Sequence, residues 1–271
     1  MMNWVKGFFS VDKPIIGMCH LMALPGDPLY DKNGDMEKII ECAQRDIAML
    51  QEGGVDAILF SNEFSMPYQT KVEPITIAAM ARVIGELKHV IKIPYGVDCL
   101  FDPVATIDLA AVTNAAFIRE VMSGIYASEL GFWNTDIGKT SRHLCNRGLT
   151  DLKLFNNIMP EFAKHVVERD IGEMITSTLF VSRPDVLCVS GLTAGRNPGI
   201  ELLTKIKNLG LDTLLFCNTG CTKDNIKEIL NITDGAIVGT TFKIEGKFNN
   251  PIDVRRVKEF MSAARGRGFD T

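Results

Sequence analysis

A histidine, two carboxylates and an arginine each follow a short apolar run in the first half of this 271-residue chain: His20, Glu63, Asp98 and Arg119. These residue types support two chemistries. In one, Glu63 or Asp98 takes a proton from a carbon next to a carbonyl and His20 returns one. In the other, His20, Glu63 and Asp98 together ligate a divalent cation, for which an imidazole and two carboxylates are a suitable set. Close ligand spacing of the H-x-x-x-H kind is missing, which weighs against the metal. Arg119 leaves an otherwise apolar run. It is either a buried charge neutralised by Glu63, Asp98 or Glu120, or a fork for a substrate carboxylate, phosphate or developing enediolate.

The second half carries a different kind of loop. Val189-Ser190-Gly191-Leu192-Thr193-Ala194-Gly195, Asn218-Thr219-Gly220 and Val238-Gly239-Thr240-Thr241-Phe242-Lys243 each turn an apolar run into a stretch of glycines and hydroxyls. Glycines let the backbone come close to an anion, and successive N–H groups cradle it. Ser190, Gly191, Thr193, Gly195, Asn218, Gly220, Gly239 and Thr240 are therefore candidates for holding a phosphate. Asn62 and Asn156, the first polar residues after two earlier runs, join them as candidate ligand contacts. The expected partner is a phosphorylated small molecule.

The elements that must position these groups alternate without a break. Apolar runs at 15–19, 57–60, 93–97, 115–118, 152–155, 186–189, 213–217 and 236–238 read as strands buried on both faces. Amphipathic segments at 35–52, 74–89, 103–112, 139–149, 171–181, 199–209, 223–230 and 252–264 read as helices. Asp35 suits a helix cap, and Pro74 and Pro103 suit first turns. Gly53, Gly54 and Gly210 suit helix stops. Eight such units in this length predict an α/β fold, a single (β/α)₈ TIM barrel over residues 1–271. Its phosphate-binding loops follow strands six to eight, with residues 1–12 as an N-terminal extension and 266–271 as a frayed tail. An open doubly wound sheet is the alternative, but an early G-x-G-x-x-G turn is missing. The connections 120–138 and 156–170 are long, as loops covering a site are.

Composition narrows the functions. Net charge is −4 with no basic stripe, so no nucleic-acid partner is expected. No apolar run approaches the roughly 18 residues of a spanning helix, and residues 1–9 lack signal-peptide features, so the chain is expected in the cytoplasm without a membrane span. Seven scattered cysteines imply no disulfide framework, and Cys217 and Cys221 without a second pair do not read as a metal site. No lysine ends strands five to seven, which disfavours a Schiff-base aldolase. Trp133 stands where the first glycine of a P-loop would be in the segment ending Gly138-Lys139-Thr140, and no strand directly precedes it. P-loop triphosphatase chemistry is therefore disfavoured, and no nucleotide cofactor motif is present.

Five stretches carry a family resemblance. They are Gly17-Met18-Cys19-His20-Leu21-Met22-Ala23-Leu24-Pro25-Gly26-Asp27-Pro28, Leu59-Phe60-Ser61-Asn62-Glu63-Phe64-Ser65-Met66-Pro67-Tyr68, Phe117-Ile118-Arg119-Glu120, the stretch from Cys188 to Gly195, and Thr240-Thr241-Phe242-Lys243. Over nearly its whole length the chain resembles the BtpA/SgcQ family, and the SgcQ branch more than the BtpA branch. The resemblance implies a ribulose-phosphate-binding type of barrel. It implies sugar-phosphate metabolism for the one branch and photosystem I biogenesis for the other. The expectation from residues and resemblance together is an isomerase, epimerase or metal-dependent lyase acting on a sugar phosphate or related metabolite. The alternative is an assembly factor that keeps the barrel and a ligand site without catalysis. Trp4, Phe8, Phe9, Phe132 and Trp133 are the candidate surface for a partner or a homo-oligomer contact.

Overall fold

The structure, a computed structural model, describes residues 4–191 and 198–266, and of Met159 the backbone alone. In chain order the strands are β1 (Ile15–His20), β2 (Ala57–Ser61), β3 (Tyr95–Asp98), β4 (Phe117–Glu120), β5 (Ile125–Ser128), β6 (Gly131–Asn134), β7 (Lys153–Met159), β8 (Lys164–His165), β9 (Val186–Val189), β10 (Leu214–Cys217) and β11 (Gly235–Val238). The helices are α1 (Trp4–Phe9), α2 (Asp35–Gly53), α3 (Pro74–Leu87), α4 (Pro103–Thr113), α5 (Ile137–Asn146), α6 (Ile171–Ser182), α7 (Ile200–Lys207), α8 (Ile226–Ile232) and α9 (Val254–Ala264). Eight strands pair in parallel and close a barrel in the order β1-β2-β3-β4-β7-β9-β10-β11. All eight expected strands are present, their bounds moved by at most a few residues.

The period of two along each strand sorts its side chains into two cores. One set, such as Ile15, Cys19, Ile58, Val97, Ile118 and Leu187, packs outward against the helices. The other, including Ile16, Met18, Leu59, Phe117, Phe155 and Phe216, fills the barrel. Phe117 stacks on Phe155 at 4.8 Å, and Phe155 meets Phe216 edge-on at 5.4 Å. Gly96 and Gly235 make room for these rings, since a Cβ at either would lie 2.4 Å from Phe117 or Phe216.

Three features depart from expectation. The start of the chain is not a bare extension: α1 lays Val5 and Phe9 onto the inner core, and the rings of Phe8 and Phe9 lie 6.5 and 6.2 Å from Phe117. The two long connections are not plain loops either. β5, β6 and β8 form a small antiparallel sheet, with Tyr126 opposite both Trp133 and His165. Periodicity missed these strands because they are short and only half buried. Third, Asp35 is not the N-cap. Gly34 holds that position, and the Asp35 carboxylate accepts the Glu37 N–H at 2.8 Å from inside the first turn. Pro74, Pro103 and the left-handed Gly54 stand where expected. No helix among the described residues is long and apolar enough to cross a membrane.

The aromatic filling predicts a sharp cost for one added methyl. Gly96→Ala should lose about 1–3 kcal/mol of stability, as overpacked cores do. Urea unfolding of the two proteins measures it, and equal midpoints would show that the Phe117 ring moves aside freely.

Candidate active site

Extending the inward-facing period one step beyond the apolar layers gives one residue per strand at the carboxyl end of the barrel. These are His20, Ser61, Asp98, Arg119, Asn157, Ser190, Asn218 and Gly239. All but the glycine are polar, and the polar ring caps the aromatic core. A cavity of about 280 Å³ opens above it, near the lower end of the range for small-molecule sites.

Arg119 organises the ring. Its Nε donates to Asp98 Oδ2 at 2.6 Å, and Nη2 contacts the same oxygen. Nη2 also lies 3.6 Å from Glu63 Oε1, and Nη1 donates to Asn218 Oδ1 at 3.1 Å. Asn218 donates in turn to Ser190 Oγ at 2.8 Å, and the Asn157 amide lies 3.2 Å from that hydroxyl. The guanidinium is thus neutralised, and it also lines the cavity. Asp98 is fully buried beneath it, whereas Glu63 lines the cavity, steadied by Ser61 at 3.3 Å and the Tyr68 hydroxyl at 3.4 Å.

Burial pushes the Asp98 carboxyl up, against the pull of Arg119. Burial and then the charge of Asp98 push its hydrogen-bonding neighbour Glu120 well above the carboxylate range. Asp98 Oδ1 is buried without any other donor among the described residues. A carboxyl can satisfy a facing carboxylate only by bringing a proton, so the pair shares one. Asp98 touches the guanidinium, and Glu120 accepts from Thr106 Oγ1 and the Val121 N–H, both at 3.0 Å.

His20 closes the ring over Gly239. A Cβ at 239 would come within 2.8 Å of its Nε2, so only glycine admits this imidazole. Its Nδ1 has no hydrogen-bond partner among the described residues. Desolvation, then Lys243, then Arg119 hold its pKa well below the usual imidazole value, so it is neutral at pH 7. Lys243 is buried just beyond β11, its Nζ donating to Phe248 O at 2.5 Å and lying 4.9 and 4.8 Å from the Phe64 and Phe248 rings. Burial lowers its own pKa to about 8.

Another part of the wall is made by the loops after β10 and β11: Thr219, Gly220, Gly239, Thr240 and Thr241. Gly220 takes φ +71°, a left-handed turn. The Gly191 N–H donates to Thr219 Oγ1 at 3.0 Å, and Thr241 Oγ1 donates to Cys221 O at 2.6 Å, so these loops are fastened to one another. Thr193 and Gly195 lie outside the described residues. Asn62 and Asn156 turn away from the cavity. Asn62 Oδ1 accepts from the Leu100 N–H at 2.8 Å, and Asn156 bridges the Met122 N–H and Ser182 Oγ. Choosing the first polar residue after each strand picked these two, whereas the inward parity points to Ser61 and Asn157. Glu120 and Lys243 were not among the candidates: one faces outward, and the other lies several residues past its strand.

His20, Glu63 and Asp98 do not form a metal cradle. No three His, Cys, Asp or Glu side chains group as one among the described residues, and the guanidinium occupies the space between the two carboxylates. A second cavity of about 600 Å³ lies outside the barrel between β8 and α6, with Lys164 and His165 on its wall and none of the polar ring.

The BtpA family matches residues 11–266 of the chain. The chain is 49% identical over 260 residues to the sgc region protein SgcQ of Escherichia coli strain K12, covering 96% of this chain and 97% of that one. It is 28% identical over 259 residues to the photosystem I biogenesis protein BtpA of a Synechocystis species, covering 94% and 89%. Among solved structures, phosphoribosyl anthranilate isomerase from Thermococcus kodakaraensis superposes with a TM-score of 0.57 at 13% identity, over 93% of this chain and 99% of that one. At that identity the likeness is one of fold.

The shared proton has a pH signature. Both carboxyls hold protons more tightly folded than unfolded, so their contribution is complete at acid pH and lost as pH rises through their folded values. Glu120→Gln supplies a permanent donor to Asp98 and removes that loss. Relative to the wild type it should gain about 1 kcal/mol or more between pH 5 and pH 9, the equivalent of one pKa unit. Urea unfolding across that range measures it, and a difference that stays flat with pH would rule the shared proton out.

Proposed function

The chain belongs to the BtpA family, and from that premise we propose that it is an enzyme acting on a phosphorylated metabolite, moving a proton at a carbon next to a carbonyl. The observation that carries this reading is the meeting of Glu63 and Arg119, 3.6 Å apart, on the wall of a cavity whose other side is the glycine and threonine wall after β10 and β11. The phosphate would lie against Thr219, Gly220, Gly239 and Thr240, where backbone N–H groups and hydroxyls can surround it. That leaves the rest of the molecule over the polar ring.

Each group then has one task. Glu63 is the base, because it faces the cavity, while Asp98 is buried and committed to Arg119. Arg119 stabilises the enediolate oxygen, and a preset guanidinium needs no rearrangement to do so. His20, neutral, passes a proton between substrate oxygens or to the carbanion carbon. Isomerisation, epimerisation and retro-aldol cleavage share this first step. No nucleotide or metal is required by these roles.

The family also contains a relative named for photosystem I biogenesis, and an assembly role needs a partner surface. Phe132 and Phe180, on β6 and α6, are each 79% exposed. Trp4, Phe8, Phe9 and Trp133, the other candidates, face inward onto the apolar cores. The ionised, open cavity favours the enzyme.

Solvent exchange tests it. In D2O, the protein should incorporate deuterium next to the carbonyl of a phosphorylated ketose or aldose substrate. Glu63→Gln should slow this by about 10²- to 10⁴-fold while ligand binding persists. Exchange at the wild-type rate in Glu63→Gln would remove Glu63 as the base.

A further inference from the structure

Besides Met18, Ile237, Val238 and Phe248 near β1 and β11, the cavity is lined by five apolar side chains from three connections on the other strands. Met66 and Tyr68 come from the connection after β2, Leu100 and Phe101 from the connection after β3, and Phe162 from the connection after β7. In the closed strand order β3 stands diametrically across from β10, and β4 across from β11. Leu100 and Phe101, after β3, therefore stand across the barrel mouth from Thr219 and Gly220, after β10, and Arg119 and Glu63 line the same cavity.

This side is built, not incidental. Tyr68 meets Phe101 edge-on at 5.2 Å and Phe162 at 6.4 Å. Behind Phe101, at 4.5 Å, sits Trp133, 2% exposed and brought there by β6. Tyr126 of β5 packs on Trp133 at 5.6 Å. Leu100, Phe101, Val121, Tyr126 and Trp133 make a hydrophobic cluster separate from both barrel cores. The small sheet thus carries a buttress whose exposed face is the cavity wall. The Tyr68 hydroxyl does not point at the ligand space as a free donor. It donates to Glu63 O at 2.9 Å and leans on the Glu63 carboxylate, leaving its ring to the cavity.

A short open-chain sugar phosphate has no preformed apolar face to place against such a surface, because its chain is flexible and oxygen-bearing along its length. A ring with an apolar face does, and aromatic side chains favour such rings by stacking or edge contact. Resting on the proposed function for the phosphate end, we infer that the substrate is a phosphorylated metabolite bearing a ring at the end opposite its phosphate, held against Tyr68 and Phe101. The reacting carbon lies between the ring and the phosphate, over Glu63 and Arg119.

Trp133 is the reporter. In a Trp4→Phe background it is the sole tryptophan, and it contacts Phe101 directly. Its fluorescence is titrated with inorganic phosphate, glycerol phosphate, glucose 1-phosphate and phenyl phosphate. At least one ring-bearing ester should bind about tenfold more tightly than glycerol phosphate and change Trp133 emission, a difference of about 1.4 kcal/mol. A preference for phenyl phosphate identifies a flat aromatic ring, and a preference for glucose 1-phosphate a sugar ring. Phe101→Leu, which keeps an apolar contact for Trp133, and Tyr68→Leu should erase the preference while leaving inorganic phosphate affinity unchanged. That affinity is followed by thermal unfolding, so it does not depend on the reporter. If all four ligands bind alike, or the preference survives both substitutions, the ring is overturned and the phosphate reading stands. If none binds, inorganic phosphate included, the phosphate reading fails and this inference falls with it.

Discussion

A guanidinium buried at the mouth of a barrel cannot be left without partners, and the upper half of this molecule is arranged around that constraint. An unpaired buried charge costs several kcal/mol, and its pairing repays this only when the hydrogen-bond geometry is good. Arg119 receives Asp98 from β3, Glu63 from beyond β2 and Asn218 from just beyond β10. One side chain therefore ties together strand ends on opposite sides of the barrel. The ties continue outward. Asn218 needs Ser190, Ser190 takes Asn157, and Glu120, the hydrogen-bonding neighbour of Asp98, accepts from Thr106 of α4. Such a network is favourable only when every member is satisfied, because the same low dielectric that strengthens each bond penalises each gap.

The barrel beneath explains why the network sits where it does. Inward-facing residues alternate along every strand, and three aromatic rings with two glycines occupy the middle layer. Water is excluded there, so polar groups can begin only one step higher. The strands, their parallel closure and the assembly of His20, Glu63, Asp98 and Arg119 at one end were legible in the sequence, because continuous apolar runs and polar strand ends carry that information directly. Asn62 and Asn156 were misjudged for a definable reason. A strand end places successive residues on opposite faces, so nearness to the end does not decide direction. Ser61 and Asn157 share parity with the core residues Leu59 and Phe155, and that was the available signal.

Other features left little trace. The β5–β6 hairpin is short and half exposed, and its purpose lies in a tertiary contact, Trp133 behind Phe101, that no local pattern encodes. Lys243 reads as one more polar residue in a threonine-rich loop until the chain folds it under Phe64 and Phe248. Glu120 faces the helices, where burial and the charge of Asp98 push its carboxyl well above the usual carboxylate range. Each is visible only once distant segments are brought together, which is the information periodicity lacks.

Under the proposed reaction the charges around Arg119 stay constant. Before reaction the guanidinium faces two carboxylates, Asp98 beneath it and Glu63 beside it. When Glu63 takes a proton it becomes neutral, and the negative charge appears on the substrate oxygen instead. Arg119 exchanges one anionic partner for another without moving, so little reorganisation is needed. This works only if the other carboxyls do not compensate. Were Glu120 ionised as well, Arg119 would already be over-neutralised, and an enediolate would gain less from it. The same holds for His20. With burial, then Lys243 and Arg119, depressing its pKa, it stays an uncharged imidazole that can give a proton to an oxygen and regain one from its neighbour. A charged imidazolium would instead protonate the intermediate early and stop the transfer. Glu120 beneath the cavity and Lys243 beside it thus act alongside burial on the carboxyl of Asp98 and the imidazole of His20.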